Sequence, residues 1–202
     1  TTYQFAEGLD GTLARTEARI LGEEGEELGT LVYAPAAQVW RINKGLRRRK
    51  NPSEHGFFIN PRTGWWSKNP EEEENREEEE KDKAPTQILV PYVEDRRNVL
   101  LLTPAIAGDE TVMATLEAAL QRGIEQVFQV EESEVLVEPL PDGEHRRVLL
   151  FYEATEGGAG VLSRLAREEG VLAEVARRGL ERMHYNPATL EEIPEDRQDC
   201  QA

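Results

Sequence analysis

Eight basic residues and five aromatic ones crowd into residues 38–68. The bases are Arg41, Lys44, Arg47, Arg48, Arg49, Lys50, Arg62 and Lys68, and the only acid is Glu54. The aromatics are Trp40, Phe57, Phe58, Trp65 and Trp66, which include every tryptophan of the chain. Cations neutralise phosphates and rings stack on bases, so this mixture suits single-stranded nucleic acid. It suits a structural role too. Trp40, Phe57 and Trp65 can be core on alternating strands, with the arginines paired to the many glutamates. Both readings stay open from the residues alone.

A second stretch with chemical character is 151–165, FYEATEGGAGVLSRL. An apolar run ends at Glu153, a cluster of Gly157, Gly158 and Gly160 follows, and a helical pattern starts at Val161. A strand that turns through glycines into a helix can cradle phosphate. It is equally how an αβ chain turns a tight corner. GGAG meets neither the dinucleotide nor the P-loop spacing. Glu153 and Glu156 flank the turn. They could hold a divalent ion or do acid–base work, or Glu153 could accept bonds from backbone amides at the turn.

The remaining chemistry is sparse. Ser163 follows GGAG without a nucleophile-elbow pattern. His55, His145 and His184 show no triad or metal-ligand spacing. No Walker loop or DEAD box is present, and no catalytic residue is assigned. The single cysteine, Cys200, allows no intrachain disulfide. A net charge of −16 argues against nucleic-acid binding by the whole surface, though not by a local basic patch. No apolar run reaches membrane length and no signal peptide is visible, which points to a cytoplasmic chain with no membrane partner. The chain starts at Thr1 without Met and ends in a polar run at Ala202, so both ends read as cuts within a larger protein.

These residues need elements to hold them. Residues 16–21 and 28–33 read as a hairpin around Gly22–Gly25, with Pro35 ending the second strand. Residues 39–43 alternate again, and 55–59 and 64–67 are two short strands around a turn. Residues 70–84 carry nine acids and three bases and no apolar anchor, so they form a loop or linker. A solvated helix, or an acidic strip that shields the basic patch, is the alternative. Residues 87–93 and 98–102 read as strands around a turn at 94–97. Residues 98–102 are apolar on both faces and so belong at the centre of a sheet.

Asp109 is a good N-cap for a helix over 110–128, with Val112, Leu116, Ala119, Leu120, Gly123, Ile124 and Val127 inward. Strands around Val135 and over 147–152 flank a turn at Pro141-Asp142-Gly143. Helices follow from Val161 and over 171–183, the latter with Leu172, Val175, Ala176, Leu180 and Met183 inward. Arg177, Arg178 and Arg182 point outward toward glutamates, and Leu190 and Ile193 are the last anchors. The fold class is α+β. A β-rich N-terminal half with antiparallel hairpins precedes a mixed sheet with three main helices and an α/β-like C-terminal half. The organisation is 1–69, a basic and aromatic β-rich segment; 70–84, the acidic loop or linker; and 85–202, the αβ segment. The first and last can form one unit.

The order over 115–186 is sharper than any spacing. A helix with AALQRGI leads to a strand, a hairpin, FYEATEGGAG, VLSRL, LAEVARRGLERM and HYNP. This resembles the MrfA-like zinc-binding domain near the C-terminus of bacterial DEAD/DEAH-type helicases, formerly a domain of unknown function and found also in DISARM anti-phage components. Upstream, Tyr33–Ala37 and Trp40–Arg49 resemble the segment that precedes it in such helicases. The resemblance implies an accessory module that positions DNA and docks on helicase motor domains, in DNA repair or anti-phage defence. It implies ATP and Mg2+ for a motor outside this chain, and other defence proteins as partners. It places Cys200 where the first of four zinc-ligating cysteines is expected, so Zn2+ would need cysteines beyond Ala202. The nucleic-acid contacts would come from Trp40, Arg41, Lys44, Arg47, Arg48, Arg49, Lys50, Trp65 and Trp66. A structural scaffold that binds protein partners, and a phosphate-binding enzyme centred on GGAG, are the rival classes.

Overall fold

Six of the nine strands among the described residues form one sheet, in the order β1 (Thr2–Gln4), β3 (Glu27–Ile42), β7 (Tyr92–Pro104), β9 (Val148–Glu153) and β8 (Val135–Leu140), with β2 (Thr16–Leu21) paired to β3. The computed structural model describes residues 1–9, 11–45, 55–67, 87–106, 109–155 and 157–193. Its strands are β1 (Thr2–Gln4), β2 (Thr16–Leu21), β3 (Glu27–Ile42), β4 (Phe57–Ile59), β5 (Trp66–Ser67), β6 (Gln87–Leu89), β7 (Tyr92–Pro104), β8 (Val135–Leu140) and β9 (Val148–Glu153). The helices among the described residues are α1 (Glu110–Phe128), α2 (Val161–Arg167) and α3 (Val171–Arg182). The class is α+β, as the sequence indicates. Where a mixed sheet was expected, β2–β3, β7–β9 and β8–β9 all pair antiparallel.

The chain forms two compact units. One joins Tyr3–Val39 to Asp95–Ala202, and the other is Trp40–Glu94. In the first unit Val99–Leu102 of β7 and Leu149–Glu153 of β9 are buried on both faces, as the apolar run at 98–102 requires. Leu100, Leu102, Leu149 and Phe151 meet the helices through Met113, Leu120, Ile124, Leu162 and Val175. Val99, Leu101, Leu150 and Tyr152 pack on the other side with Ala34, Ala37 and Val39.

Two strand boundaries differ from the sequence reading. β3 does not end at Pro35 but runs on to Ile42. Ala36 adopts φ 50°, and the backbone there takes an extra residue. Leu31 and Tyr33 therefore face the helices, while Ala37 and Val39 face the opposite core although their numbers share parity. A bulge flips alternation in this way. The Ala36 amide donates to Asn98 Oδ1 at 3.2 Å.

The second difference is at 94–97, where β7 passes unbroken through the expected turn. Arg97 is held by Asp95 at 2.8 Å and also donates to the carbonyl of Ala154. A long strand with charges on an outer stretch mimics turn composition. The break falls instead at Val90-Pro91, between β6 and β7.

α1 starts where expected. Asp109 Oδ1 accepts from the amides of Thr111 at 2.8 Å and Val112 at 3.2 Å. Its buried stripe is Met113, Leu120, Gly123 and Ile124, so Met113 takes the place expected of Val112, which is 41% exposed. On α3, Val175 and Gly179 are buried and Ala176 is exposed, so the expected inward Ala176 lies one step off the stripe. Arg177 and Arg178 pair with Glu174, and Arg178 also with Glu181, on the outer face as expected. Leu190 is 66% exposed and does not anchor the chain after α3. The loop is closed instead by main-chain bonds, Asn186 N to Glu191 O at 2.9 Å and Ile193 N to His184 O at 2.7 Å.

Candidate nucleic-acid interface

The end of β3 carries Trp40 and Arg41 into the second unit. Trp40 is half-buried, and its Nε1–H donates to Glu94 Oε2 at 3.0 Å. Arg41 and Lys44 are exposed, and among the described residues neither forms an ion pair. The backbone around them is fixed. The Asn43 amide donates to Pro91 O at 2.8 Å, Asn43 Oδ1 accepts from the Gly45 amide at 3.1 Å, and the Gly56 amide donates to Lys44 O at 2.8 Å. Lys44 is thereby held beside the start of β4. Arg47, Arg48, Arg49 and Lys50 lie outside the described residues, as do 70–84.

β4 is the centre of a three-stranded antiparallel sheet, β5-β4-β6. Ile59 pairs with Trp66 and Phe57 with Leu89. Directly paired residues share a face, and residues two apart on a strand do as well. Phe57, Ile59, Trp66 and Leu89 therefore share one face. The rings of Phe57 and Trp66 meet edge-on, with centroids 5.4 Å apart and planes at 75°. Trp66 nevertheless keeps 49% of its surface exposed, and Trp65 keeps 52%.

The loop between β4 and β5 is built by Asn60, which is 4% exposed. Its Oδ1 accepts from the amides of Arg62 at 3.0 Å and Thr63 at 3.3 Å. The main chain closes it with Asn60 N to Trp65 O at 2.9 Å and Gly64 N to Asn60 O at 2.8 Å. Asx geometry of this kind makes a stiff turn. No large hydrophobic residue of this unit is fully buried among the described residues. Ile42, Ile88, Leu89, Val90, Tyr92 and Val93 are exposed along with Trp65 and Trp66. The unit shows water an apolar and aromatic surface with cations beside it.

The glycine turn lies in the first unit. Glu153 ends β9 and is 1% exposed. Its Oε2 accepts from Asn98 Nδ2 at 2.8 Å, and its Oε1 accepts from the Leu162 amide at 3.4 Å. α2 has Gly160 at its N-cap, with no side-chain cap of its own, so the Glu153 carboxylate does that work from the preceding strand. Gly157 and Gly158 adopt φ 84° and 63°. A Cβ on Gly158 would fall on Glu153 Oε2, so the turn can wrap the carboxylate only as glycine. That carboxylate occupies the helix start which spacing alone left open to an anion. Gly157 O accepts a second bond from Asn98 Nδ2 at 3.1 Å. Asn98 was not singled out in the sequence. A lone polar residue heading an apolar strand is the faint signal that could have found it. Glu156 lies outside the described residues.

The histidines stand apart from one another in chain and role. His55 is exposed ahead of β4, His145 pairs through Nδ1 with Asp142 Oδ1 at 3.0 Å at a hairpin tip, and His184 follows α3 at φ 64°.

Residues 116–201 match the family model described as the MrfA Zn-binding domain. This part of the chain is similar to that family. No curated protein matches the chain. Among solved structures, one described as the crystal structure of the DUF1998 helicase MrfA bound to DNA aligns with 94% of this chain at 13% identity and a TM-score of 0.45. The chain spans 24% of the length of that protein.

The family's name raises the question of zinc. Among the described residues, no three His, Cys, Asp or Glu side chains are placed to hold a metal ion. Cys200 is the only cysteine of the sequence and lies outside the described residues. A closed zinc site takes about four ligands, so the described residues do not fit one. No helix among the described residues is long and apolar enough to cross a membrane.

Proposed function

We propose that this chain is an accessory module of a DEAD/DEAH-type helicase that positions nucleic acid and docks on the motor, in DNA repair or anti-phage defence. The similarity over 116–201 to the MrfA Zn-binding domain supports the helicase reading. The placement of Arg41 and Lys44, exposed and without ion-pair partners among the described residues, beside an aromatic sheet supports the nucleic-acid role. Cations there neutralise phosphates while exposed rings take bases. Arg47, Arg48, Arg49 and Lys50 follow closely in the sequence and add four positive charges to the segment. The module has no catalytic role in this reading. ATP and Mg2+ belong to motor domains of the same or another protein, and zinc to cysteines that join Cys200.

The test is anisotropy of labelled single- and double-stranded DNA against wild type and the Arg41→Ala/Lys44→Ala variant. Binding should weaken, and the salt slope should shrink by about 0.7 per lost phosphate contact on single strands. An unchanged slope would remove these two residues from the interface. A second reading is a protein-binding scaffold that never touches DNA. The exposure of Ile88 (62%) and Tyr92 (62%) favours it, because apolar surface of this kind also serves protein interfaces. No DNA binding even at low salt, together with retained binding to motor domains, would select that reading.

A further inference from the structure

Three tryptophans lie in the basic segment, and the structure separates them. We infer that Trp66 alone is the base-stacking platform of this module, and that its ligand is an unpaired base of a single strand; this rests on the nucleic-acid reading above. Trp40 has its indole N–H committed to Glu94 and is half-buried. Trp65 lies across from Asn60, one step from Trp66 on an extended chain, so its side chain leaves by the opposite side of the ribbon. Two neighbouring tryptophans on opposite sides cannot stack successive bases of one strand.

Trp66 differs from both. Phe57 abuts it edge-on at 5.4 Å and fixes its plane, while 49% of its surface remains open. A braced ring loses little conformational freedom when a base settles on it. Ile59 and Leu89 share its face and extend the apolar floor. Phosphates attached to such a base need cations nearby. Lys44 is held at the start of β4 by the bond from Gly56 to its carbonyl, one residue before Phe57. The occupant this combination fits is a flexible anionic strand with exposed bases. A duplex keeps its base faces stacked inside and offers none to Trp66.

The experiment uses the full 202-residue chain and fluorescein-labelled oligothymidylate, the same oligomer with abasic sites, and a duplex of equal length. Wild type should prefer the oligothymidylate to the abasic strand. Trp66→Ala should weaken binding to oligothymidylate by roughly tenfold, within a range of about fivefold to 150-fold per stacked base. It should leave abasic and duplex binding nearly unchanged. Trp66→Phe should restore most of the preference, and Trp65→Ala should keep it, with circular dichroism confirming the fold of each variant. Equal losses for Trp65→Ala and Trp66→Ala, or equal losses on all three ligands, would overturn the inference while the nucleic-acid role stands. No binding of any oligomer by the wild type would overturn both.

Discussion

Asn98 and Glu153 hold each other across the two central strands. Asn98 Nδ2 donates to Glu153 Oε2 at 2.8 Å, and Asn98 Oδ1 accepts from the Ala36 amide at 3.2 Å. One side chain thus joins the bulge of β3, the end of β9 and the glycine turn. Replacement by alanine takes the Asn98 partner from Oε2 of a carboxylate that is 1% exposed. A buried polar group left without a partner costs about 1–3 kcal/mol, and more when charged. Asn98→Ala should lower the urea midpoint accordingly. Asn98→Asp keeps the acceptor for Ala36 but brings a second carboxyl against Glu153, so it should be worse than alanine. Equal stability of Asn98→Asp and wild type would show that the contact contributes nothing.

Gly157 and Gly158 separate backbone strain from steric exclusion. Both have positive φ, so alanine at either pays roughly 1–2 kcal/mol for the left-handed conformation. A Cβ at Gly157 meets nothing within 4 Å, whereas one at Gly158 falls on Glu153 Oε2. Gly158→Ala should therefore melt well below Gly157→Ala in a thermal scan. Matching melting temperatures would mean that the turn does not depend on the carboxylate.

The contact of α1 with α3 rests on two glycines. A Cβ on Gly123 would overlap the carbonyl of Val175, and one on Gly179 would lie 2.7 Å from the carbonyl of Ala119. Alanine in a helix interior normally gains about 1 kcal/mol over glycine. Here the helices must move apart, and Gly123→Ala should lower stability despite that gain. The second change acts on an interface already opened, so the double variant should lose less than the two losses added together. Additive losses in chemical denaturation would place the two glycines in independent contacts.

Acid should loosen two surface features. The backbone bond from Glu144 is the main cause holding Asp142 below its ordinary value, with bonds to His145 assisting against desolvation. The side-chain bond from Arg164 does the same for Glu168. A depressed folded pKa gives stability that is present above the unfolded value and is lost as pH falls through the folded one. The loss therefore falls below about pH 4, under the ordinary carboxylate range. Carboxyl carbon shifts followed by NMR should titrate at lower midpoints for both residues than in the unfolded chain. Midpoints at or above the unfolded ones would reverse the sign.

Local signals read correctly wherever one segment decided its own shape. Asp109 caps α1 because its carboxylate reaches amides two and three residues on. The apolar run, glycine cluster and helix at 148–167 stand as β9, turn and α2, and the outward arginines of α3 find glutamates one turn away. Each of these depends on neighbours within about four residues, which periodicity and capping chemistry record. The tertiary structure alone decided what lies far apart in sequence. β3 passes Pro35 with the next amide, that of Ala36, bonded to Asn98 sixty-two positions after it. β7 runs unbroken through 94–97, where Arg97 reaches Ala154. The tryptophans are alike in the sequence, and only strand pairing sets Trp66 against Phe57 while Trp40 turns to Glu94. Composition could place cations and rings in one segment, but which ring is braced and open depends on pairing between strands, and that is a property of the whole fold.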